Sequence, residues 1–309
     1  MRILITGGAG FIGSNLVKKL LNEGNRVVAV DNLVLGRKEF ISEFLDIDTF
    51  EFHEMDVLEA SFDELMKEDT FQEIYHLAAN SDIREGSKDL TRDLHLTFMT
   101  TFQVMKNADP KEVKKIFFSS TSAIYGDMGA TKIHEEASPL KPISFYGAAK
   151  LSSEAYISAF SHMHELEVCM LRFPNVIGPN LNHTVIFDFI NKLKVDSKKL
   201  TILGDGKQTK PYMHVDDLLS AIEIAMENHS GFDVYNVAGT GSTTVREIAM
   251  IVSEEMNLSP SFEFTGGKTG WKGDVPVYDF NTSKIKSLGW KETLNSTEAV
   301  RLATQQNLS

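Results

Sequence analysis

The sequence has one cysteine, fewer basic than acidic residues and no long hydrophobic run. A single cysteine, Cys169, cannot form a disulfide within the chain, which is typical of a protein from the reducing cytoplasm. No apolar stretch approaches the roughly 20 residues that a membrane-spanning helix needs. The net charge of −12 argues against nucleic acid or an anionic membrane as a partner. The nine histidines show no metal-ligand spacing, so no metal site is predicted.

The length of 309 residues allows one large domain or two unequal ones with an ample core. Hydrophobic residues make up 42% and charged residues 24%, as in an ordinary soluble globular protein. The first predicted strand begins at Arg2, which leaves no room ahead of it for a signal peptide. We therefore expect a cytoplasmic protein.

The most informative stretch is Met1–Asp31, which predicts a strand, a glycine turn, a helix and a second strand. The apolar run Arg2–Thr6 is typical of a strand buried on both faces. Helical periodicity follows over Phe11–Leu21, and Arg26–Val30 predicts the second strand. Between the first strand and the helix stand three glycines at intervals of three residues: Gly7, Gly10 and Gly13.

This arrangement predicts dinucleotide binding, although three glycines alone would be no more than a turn. Glycine lets the backbone approach a pyrophosphate closely, and the helix N-terminus favours that anion. Asp31 can accept hydrogen bonds from the adenosine ribose and would repel a 2′-phosphate. NAD is therefore favoured over NADP, a preference that Arg37 and Lys38, a few residues further on, could soften.

Two further strand ends carry candidate cofactor residues. The strand Phe50–Met55 ends at Asp56-Val57, and Asp56 could face an adenine or cap a helix beginning near Ser61. The strand Glu73–Leu77 runs into Ala78-Ala79-Asn80. These small residues would let the chain pass beneath a cofactor, and a plain tight turn fits them equally well.

The strand Lys115–Phe118 runs into four hydroxyl residues, Ser119 to Ser122, which either cap the next turn or face a ligand. Ligands bind at the carboxyl ends of strands in doubly wound sheets. Tyr146 and Lys150 follow at the start of a long predicted helix, and a spacing of four places them on one face. Such a pair becomes specific only behind a dinucleotide unit and a hydroxyl-rich strand end.

Alternation of strands and helices up to about residue 173 predicts the α/β class, with a Rossmann-type doubly wound parallel sheet. After that point the elements become shorter, which predicts a smaller, interwoven α/β substrate domain. We place an NAD-binding domain at residues 1–173 with about 207–238. The second domain is expected at about 174–206 and 239–309, and a family resemblance implies that it binds a nucleotide sugar.

At this point the chain resembles the extended short-chain dehydrogenase/reductase family of NAD-dependent epimerases and dehydratases that act on nucleotide sugars. It is most similar to the UDP-glucose 4-epimerase branch, over nearly its whole length. The motifs that carry the resemblance are Gly7 to Gly13, Val30-Asp31-Asn32-Leu33, Asp56-Val57, His76-Leu77-Ala78-Ala79, Ser119 to Gly126, Tyr146 with Lys150, Arg172-Phe173-Pro174-Asn175 and His214-Val215-Asp216-Asp217.

The resemblance implies roles for individual residues. Thr121 takes the position of the catalytic Ser/Thr, Tyr146 that of the general base and acid, and Lys150 would hold the nicotinamide ribose and lower the tyrosine pKa. The implied NAD contacts are Gly7, Gly10, Phe11, Ile12, Gly13, Asp31, Asn32, Asp56, Val57, Leu77, Ala78, Ala79, Ser119, Tyr146 and Lys150. The implied substrate contacts are Thr121, Asn175, Val185, Lys210, Trp271 and Lys272.

The function implied by the resemblance is a nucleotide-sugar 4-epimerase that oxidises C4 transiently to a ketone. One alternative is a 4-dehydrogenase or ketoreductase acting on a UDP- or GDP-sugar, and another is a 4,6-dehydratase. Dehydratases of the family usually carry Asp-Glu directly after the catalytic threonine, where this chain has Ser122-Ala123. A catalytically inactive NAD-sensing protein would usually have lost the tyrosine or the lysine. Family members also imply a homodimer, here through the helices from Leu90 and Tyr146.

Three positions depart from the family pattern. Thr97 stands where epimerases usually carry an asparagine, and Lys210-Pro211 replaces an Arg-Asp pair. Trp271 to Asp274 replaces a segment that usually begins with a diphosphate-binding arginine. Lysine lacks the two-pronged contact of arginine, so Lys210 and Lys272 are either diphosphate ligands or solvated surface residues. Trp271 could stack on a base or sugar, or simply pack.

Overall fold

The computed structural model describes residues 1–129, 131–181, 184–267, 275 and 278–308. The chain divides into two compact units. The first consists of Met1–Ile124, Pro142–Arg172 and Ile222–Tyr235, and the second of Tyr125–Lys141, Phe173–Ala221 and Asn236–Ser309. Residues 125–141 and 207–221 thus belong to the second unit, whereas the sequence division above places them with the first.

A seven-stranded sheet forms the centre of the first unit and confirms the predicted Rossmann-type α/β fold. The first strand of the chain is buried along its length, with Ile3, Leu4 and Ile5 fully inaccessible. It pairs in parallel with a strand on each side, so that Ile5 lies between Ala29 and Tyr75. Across the sheet the order of strands is Phe232–Asn236, Glu167–Phe173, Lys115–Thr121, Glu73–His76, Arg2–Thr6, Arg26–Asp31 and Phe50–Glu54.

This strand order fixes where a ligand can bind. The chain leaves Arg2–Thr6 in one direction across the sheet and returns on its other side at Glu73–His76. Such a reversal opens a crevice at the carboxyl ends of the two strands, where dinucleotides bind in this architecture. The residues at those two ends are Gly7 and Leu77.

The helices predicted from Phe11, near Ser61 and from Tyr146 each begin within one residue of the predicted position. α-Helices span Phe11–Asn22, Ala60–Glu68, Ile83–Gly86, Leu90–Asp93, Thr100–Asn107, Phe145–His164, Val185–Val195, Val215–Asn228, Val245–Glu255, Ser283–Ser287 and Ser296–Leu308. Short 3₁₀ segments span Lys38–Phe44 and Ser122–Tyr125. Within the described ranges, no helix is both long and apolar enough to cross a membrane.

The helix predicted to begin at Leu90 is not continuous, because a π-helical segment, Leu94–Met99, interrupts it. The hydroxyls of Thr100 and Thr101 both donate to Thr97 O, at 2.9 and 3.0 Å. Side-chain hydroxyls that occupy a backbone carbonyl in this way compete with the regular helical ladder. The periodic apolar pattern does not reveal this interruption.

The strand at Lys115 is longer than predicted, because Ser119, Ser120 and Thr121 belong to it and are buried. Burial of these hydroxyls is tolerated where they find partners. Ser119 Oγ donates to His76 O at 3.2 Å, and Ser120 Oγ donates to Glu154 Oε1. The hydroxyl run is thus the buried end of a core strand and not a loop.

The second unit contains short strands at Lys132–Ile133, Asn175–Ile177, Lys199–Ile202, Thr209–Lys210, Tyr212–His214, Thr243–Thr244, Ser261–Phe264 and Asp279–Phe280. The strand Asn175–Ile177 pairs in parallel with Tyr212–His214. Asp217 is central to this unit, since its carboxylate accepts from Thr293 N at 2.9 Å and from the Thr293 hydroxyl at 2.7 Å. The buried Trp290 indole donates to Asp217 O at 3.0 Å.

Candidate active site

The glycine turn is held by the chain's own packing at two of its three glycines. Gly7 has a φ of +76° and donates from its amide to Val30 O at 2.7 Å. A Cβ on Gly7 would lie 2.8 Å from Ala78 N, and one on Gly13 would lie 2.0 Å from Gly7 O. Only glycine fits these positions, so the first strand, the helix and the segment after Leu77 meet closely here.

Gly10 is different, because packing within the protein does not require a glycine there. A Cβ on Gly10 would meet only Gly7 O, at 3.2 Å. Gly10 is also the N-cap of the helix Phe11–Asn22, and it provides no capping side chain. The first amides of a helix lack partners within the helix and favour an anion. Gly10 with Phe11 and Ile12 therefore fits a pyrophosphate that approaches the backbone closely.

Asp31 is buried at the end of the second strand and is oriented by backbone amides. Its Oδ2 accepts from Ala9 N at 3.0 Å, and its Oδ1 accepts from Leu33 N at 2.8 Å. Burial raises the pKa of Asp31, and the amides of Leu33, Ala9 and Gly10 oppose that rise. The carboxylate thus adjoins the glycine turn, where an adenosine ribose would need it.

Asp56 does not cap the helix that follows it, and that alternative is wrong. The helix Ala60–Glu68 begins four residues later, with Glu59 as N-cap. Asp56 instead accepts from Asn32 Nδ2 at 2.8 Å and from Leu58 N at 2.9 Å. Asn32 and Asp56, both predicted cofactor contacts, are therefore joined at neighbouring strand ends. Val57 follows them and is buried.

The segment from Leu77 to Asn80 is fixed by two threonines. Thr6 accepts from Leu77 N through its carbonyl at 3.0 Å and from Ala78 N through its hydroxyl at 3.4 Å. Asn80 N donates to Thr97 Oγ1 at 3.1 Å. Thr97, which replaces the usual asparagine, therefore anchors this segment through its hydroxyl.

The neutral ring of His76 links the strand that contains Thr6 to the helix that contains Thr101. Its Nδ1 lies 2.7 Å from Thr6 Oγ1, and its Nε2 lies 2.9 Å from Thr101 Oγ1. Burial and the charge of Lys150 lower the pKa of His76 to about 3. Because the Thr101 hydroxyl donates to Thr97 O, it accepts from His76, which assigns the ring proton to Nε2.

Thr121 and Tyr146 are brought together by tight packing at the start of the helix Phe145–His164. Ser144 caps this helix by accepting from Gly147 N at 3.1 Å. A Cβ on Gly147 would lie 2.6 Å from Ala123 O, so the first turn presses against the end of the hydroxyl-rich strand. Thr121 lies near enough to Tyr146 as a result to lower the pKa of the phenol.

Lys150 is buried one turn further along the helix, 2% exposed, with uncharged partners. Its Nζ donates to Ser119 O at 2.6 Å and lies 4.5 Å from the centre of the Phe118 ring. Burial lowers the pKa of Lys150 to about 7, and Glu154 opposes that shift. Burial raises the pKa of Tyr146, and so does the charge of Asp93. The nearby Thr121 side chain lowers the pKa of Tyr146.

Glu154 and Arg172 also belong to this region, although sequence reasoning gives them no role. Both are buried, and two hydrogen bonds join them in an ion pair near Lys150. The signal was present, because Glu154 follows Lys150 by four residues on the same helix face. An arginine at the end of an otherwise apolar buried strand also needs a buried partner.

Of the predicted substrate residues that the structure describes, Thr121 lies in the first unit and the other three lie in the second. Asn175 begins the strand Asn175–Ile177, and Val185 begins the helix Val185–Val195. Lys210 ends the strand Thr209–Lys210. Trp271 and Lys272 lie outside the described residues. Substrate contact by these six remains a prediction.

Comparison with known proteins places these features in a family. Residues 3–238 match the family model described as the NAD dependent epimerase/dehydratase family. The chain is 28% identical to a putative UDP-glucose 4-epimerase of Methanocaldococcus jannaschii, over 97% of this chain and 96% of that protein. It is 30% identical to UDP-glucuronic acid decarboxylase 1 of Arabidopsis thaliana, over 97% of this chain and 68% of that protein.

A solved structure shares the whole fold. The UDP-glucose 4-epimerase of Thermotoga maritima, solved with UDP-glucose, superposes with a TM-score of 0.89 at 30% sequence identity. The match covers 100% of this chain and 99% of that one. The relatives of this chain thus include both epimerases and a decarboxylase of UDP-sugars. The fold alone therefore does not identify the reaction.

Proposed function

Because the chain belongs to the NAD dependent epimerase/dehydratase family, we propose that it is a nucleotide-sugar 4-epimerase of the UDP-hexose type. The observation that carries the proposal is the position of Lys150, which is buried one turn from Tyr146 and donates from its Nζ to Ser119 O at 2.6 Å, at the end of the hydroxyl-rich strand. Thr121, Tyr146 and Lys150 lie on the unit that also carries the glycine turn. Two relatives of nearly the same length are named as UDP-glucose 4-epimerases, one of them putatively.

The cofactor is NAD, and the residues at the strand ends fit it. Gly10 with the first helical amides would hold the pyrophosphate, and the Asp31 carboxylate would accept from the adenosine ribose. Asn32 and Asp56 would lie near the adenine, and Ser119 with Lys150 near the nicotinamide ribose. When bound, NAD supplies a reversible acceptor for the hydrogen at C4 of the sugar.

In this proposal Tyr146 Oη takes the proton of the C4 hydroxyl as the ketone forms and returns it afterwards. The phenolate that this requires is disfavoured by burial, so it needs a positive charge nearby. Lys150, held by Ser119 O, is the buried cation of the same helix face. Thr121, at the end of the strand Lys115–Thr121, would fix the same substrate oxygen in place.

Two alternatives share this site. A 4,6-dehydratase needs a further acid and base for loss of water, but Ser122 and Ala123 follow Thr121 in the 3₁₀ segment Ser122–Tyr125. The absence of an acidic side chain at either position favours the epimerase. A 4-dehydrogenase or ketoreductase uses the same three groups. The residues therefore do not distinguish it from an epimerase, but the reaction products do.

The assay that tests the proposal uses purified protein without added cofactor. UDP-glucose, UDP-galactose, their N-acetylated forms and UDP-glucuronate are supplied separately, and sugars are followed by proton NMR and mass spectrometry. An epimer of unchanged mass from one of the hexoses is the expected product. A product lighter by one water or by carbon dioxide, or turnover only with added NAD or NADH, would contradict the proposal.

The same unit supports the proposal of a homodimer. Leu90, Leu94, Tyr156 and Met163 are exposed on the two helical segments from which family members pair. A second copy of the chain would cover them. Sedimentation velocity should give a dimer, and replacing Leu94 and Met163 together by glutamate should give a monomer. A wild-type monomer at micromolar concentration would contradict this proposal.

A further inference from the structure

The buried ion pair between Glu154 and Arg172 lies next to the candidate catalytic group. Arg172 Nε donates to Glu154 Oε1 at 2.9 Å, and Arg172 Nη2 donates to Glu154 Oε2 at 2.6 Å. The residues are 5% and 6% exposed, so water does not screen their charges effectively. Burying such a pair is costly unless further hydrogen bonds satisfy it.

Ser120 supplies that further hydrogen bond and extends the pair into a network of three elements. Its hydroxyl donates to Glu154 Oε1, from the strand position just before Thr121. Glu154 lies one helical turn after Lys150 and two turns after Tyr146. Arg172 lies in the strand Glu167–Phe173. The network therefore joins both elements that carry the catalytic group to a third, neighbouring strand.

Lys150 forms no direct ion pair with a carboxylate among the described residues. Among the residues that the structure describes, no acidic oxygen lies within ion-pair distance of Lys150 Nζ, whose partners are Ser119 O and the Phe118 ring. The buried negative charge on its own helix face is Glu154, and that charge is shared with Arg172.

We propose that Glu154 is a positioning residue that keeps Lys150 in its charged form, and that Arg172 limits how strongly it does so. The carboxylate and the guanidinium act on Lys150 with opposite sign, through a poorly screened interior. This inference rests on the proposed function only in that Lys150 is taken to activate Tyr146.

The other titratable groups near Lys150 do not perform the role proposed for Glu154. Tyr146 on the same helix stays neutral, because burial and Asp93 raise its pKa. His76, on the neighbouring strand Glu73–His76, is neutral as well, since its pKa is lowered to about 3. Asp93 acts on Tyr146 from the helix Leu90–Asp93. Glu154 alone opposes the lowering of the Lys150 pKa by burial.

The experiment measures the ionisation of Lys150 directly, by NMR titration of protein labelled with carbon-13 at the lysine ε-carbon. The Lys150 signal is identified by its absence from Lys150→Arg. Glu154→Gln should lower the Lys150 pKa by about 1 unit, and Arg172→Gln should raise it by a similar amount. The double variant should fall between them. In assays of sugar turnover, the alkaline limb of the pH profile should move in the same two directions.

Matched controls come from an exposed ion pair. Glu254→Gln and Arg301→Gln remove the partners of a surface pair, joined at 2.8 Å, that does not contact Lys150. Neither should move the Lys150 pKa. A network with a purely structural role would reduce stability in both buried variants and shift the lysine in neither.

Shifts in the same direction, or none, would overturn the inference. If Glu154→Gln does not fold, Arg172→Gln decides alone, and an unchanged or lower Lys150 pKa there overturns it. Opposite shifts in a protein that gives no epimer would leave the inference intact and overturn the proposed function. Epimerisation by a protein whose Lys150 pKa does not shift in the variants would support the proposed function and overturn the inference.

Discussion

Lys150 Nζ donates to Ser119 O at 2.6 Å, and the two residues come from different elements of the fold. Gly147 makes the close packing of these elements possible, because any side chain there would collide with Ala123 O. Tyr146 lies one turn before Lys150 on the same helix, and burial holds the pKa of Tyr146 above the ordinary value. The proposed chemistry therefore depends on this tyrosine and on the cation that must lower its pKa.

Replacing Tyr146 by phenylalanine removes the proton acceptor and keeps the ring. Turnover should fall by about 10³-fold or more, as expected for loss of a general base. NAD content, measured by absorbance after denaturation, should not change. Retained turnover in this variant would rule out Tyr146 as the base.

The buried Lys150 predicts how stability depends on pH in the cofactor-free protein. Its pKa in the folded state is about 7, below the ordinary lysine value of 10.5, so the unfolded state binds more protons between these values. The free energy of unfolding should therefore rise with pH across that window, by up to about 1.4 kcal/mol per pH unit. The penalty for burying the charge is complete below pH 7.

Urea unfolding at several pH values measures this slope. Lys150→Met should show a flatter profile between pH 7 and 9, because it has no proton to release. An equal slope in both proteins would contradict the burial of an ionisable amine at this position.

Asp31 is expected to bind the adenosine ribose. Asp31→Ala should weaken NAD binding roughly 10- to 100-fold, the range expected when hydrogen bonds to a charged group are lost. It should also reduce the preference for NAD over NADP, because the repelling charge is gone. Isothermal titration with both cofactors measures this, with the exposed neighbour Glu39→Ala as control. Unchanged NAD affinity in Asp31→Ala would refute the assignment.

The glycines of the turn should separate into two classes. Gly13→Ala forces a Cβ to 2.0 Å from Gly7 O and should destabilise the fold by about 3 kcal/mol. Gly10→Ala meets only Gly7 O at 3.2 Å, so its stability should change by less than about 0.5 kcal/mol. NAD binding by Gly10→Ala should nevertheless weaken at least about tenfold. Thermal melting with and without NAD distinguishes the two, and a Gly10→Ala protein that binds NAD normally would contradict the pyrophosphate assignment.

The sheet and the glycine turn were predictable, because buried strands and a helix with its N-terminal glycines leave local patterns. The π-helical segment was not, since it depends on Thr100 and Thr101 bonding to one carbonyl. The Glu154 and Arg172 pair was predictable only in part, because an arginine in a buried strand indicates a buried partner without identifying which acid provides it. Asp56 was ambiguous from its neighbours; the structure excludes its capping role, because Glu59 is the N-cap of the next helix, and its contact with adenine remains a prediction.

The most direct test of the central claim is the fate of the hydrogen at C4. UDP-glucose deuterated at C4 is incubated with the protein in ordinary water, and the products are examined by NMR and mass spectrometry. Transient oxidation and return of the same hydrogen predict UDP-galactose that keeps its deuterium at C4, with unchanged mass. A galactose product without deuterium, or a keto sugar that accumulates without epimer, would contradict the account.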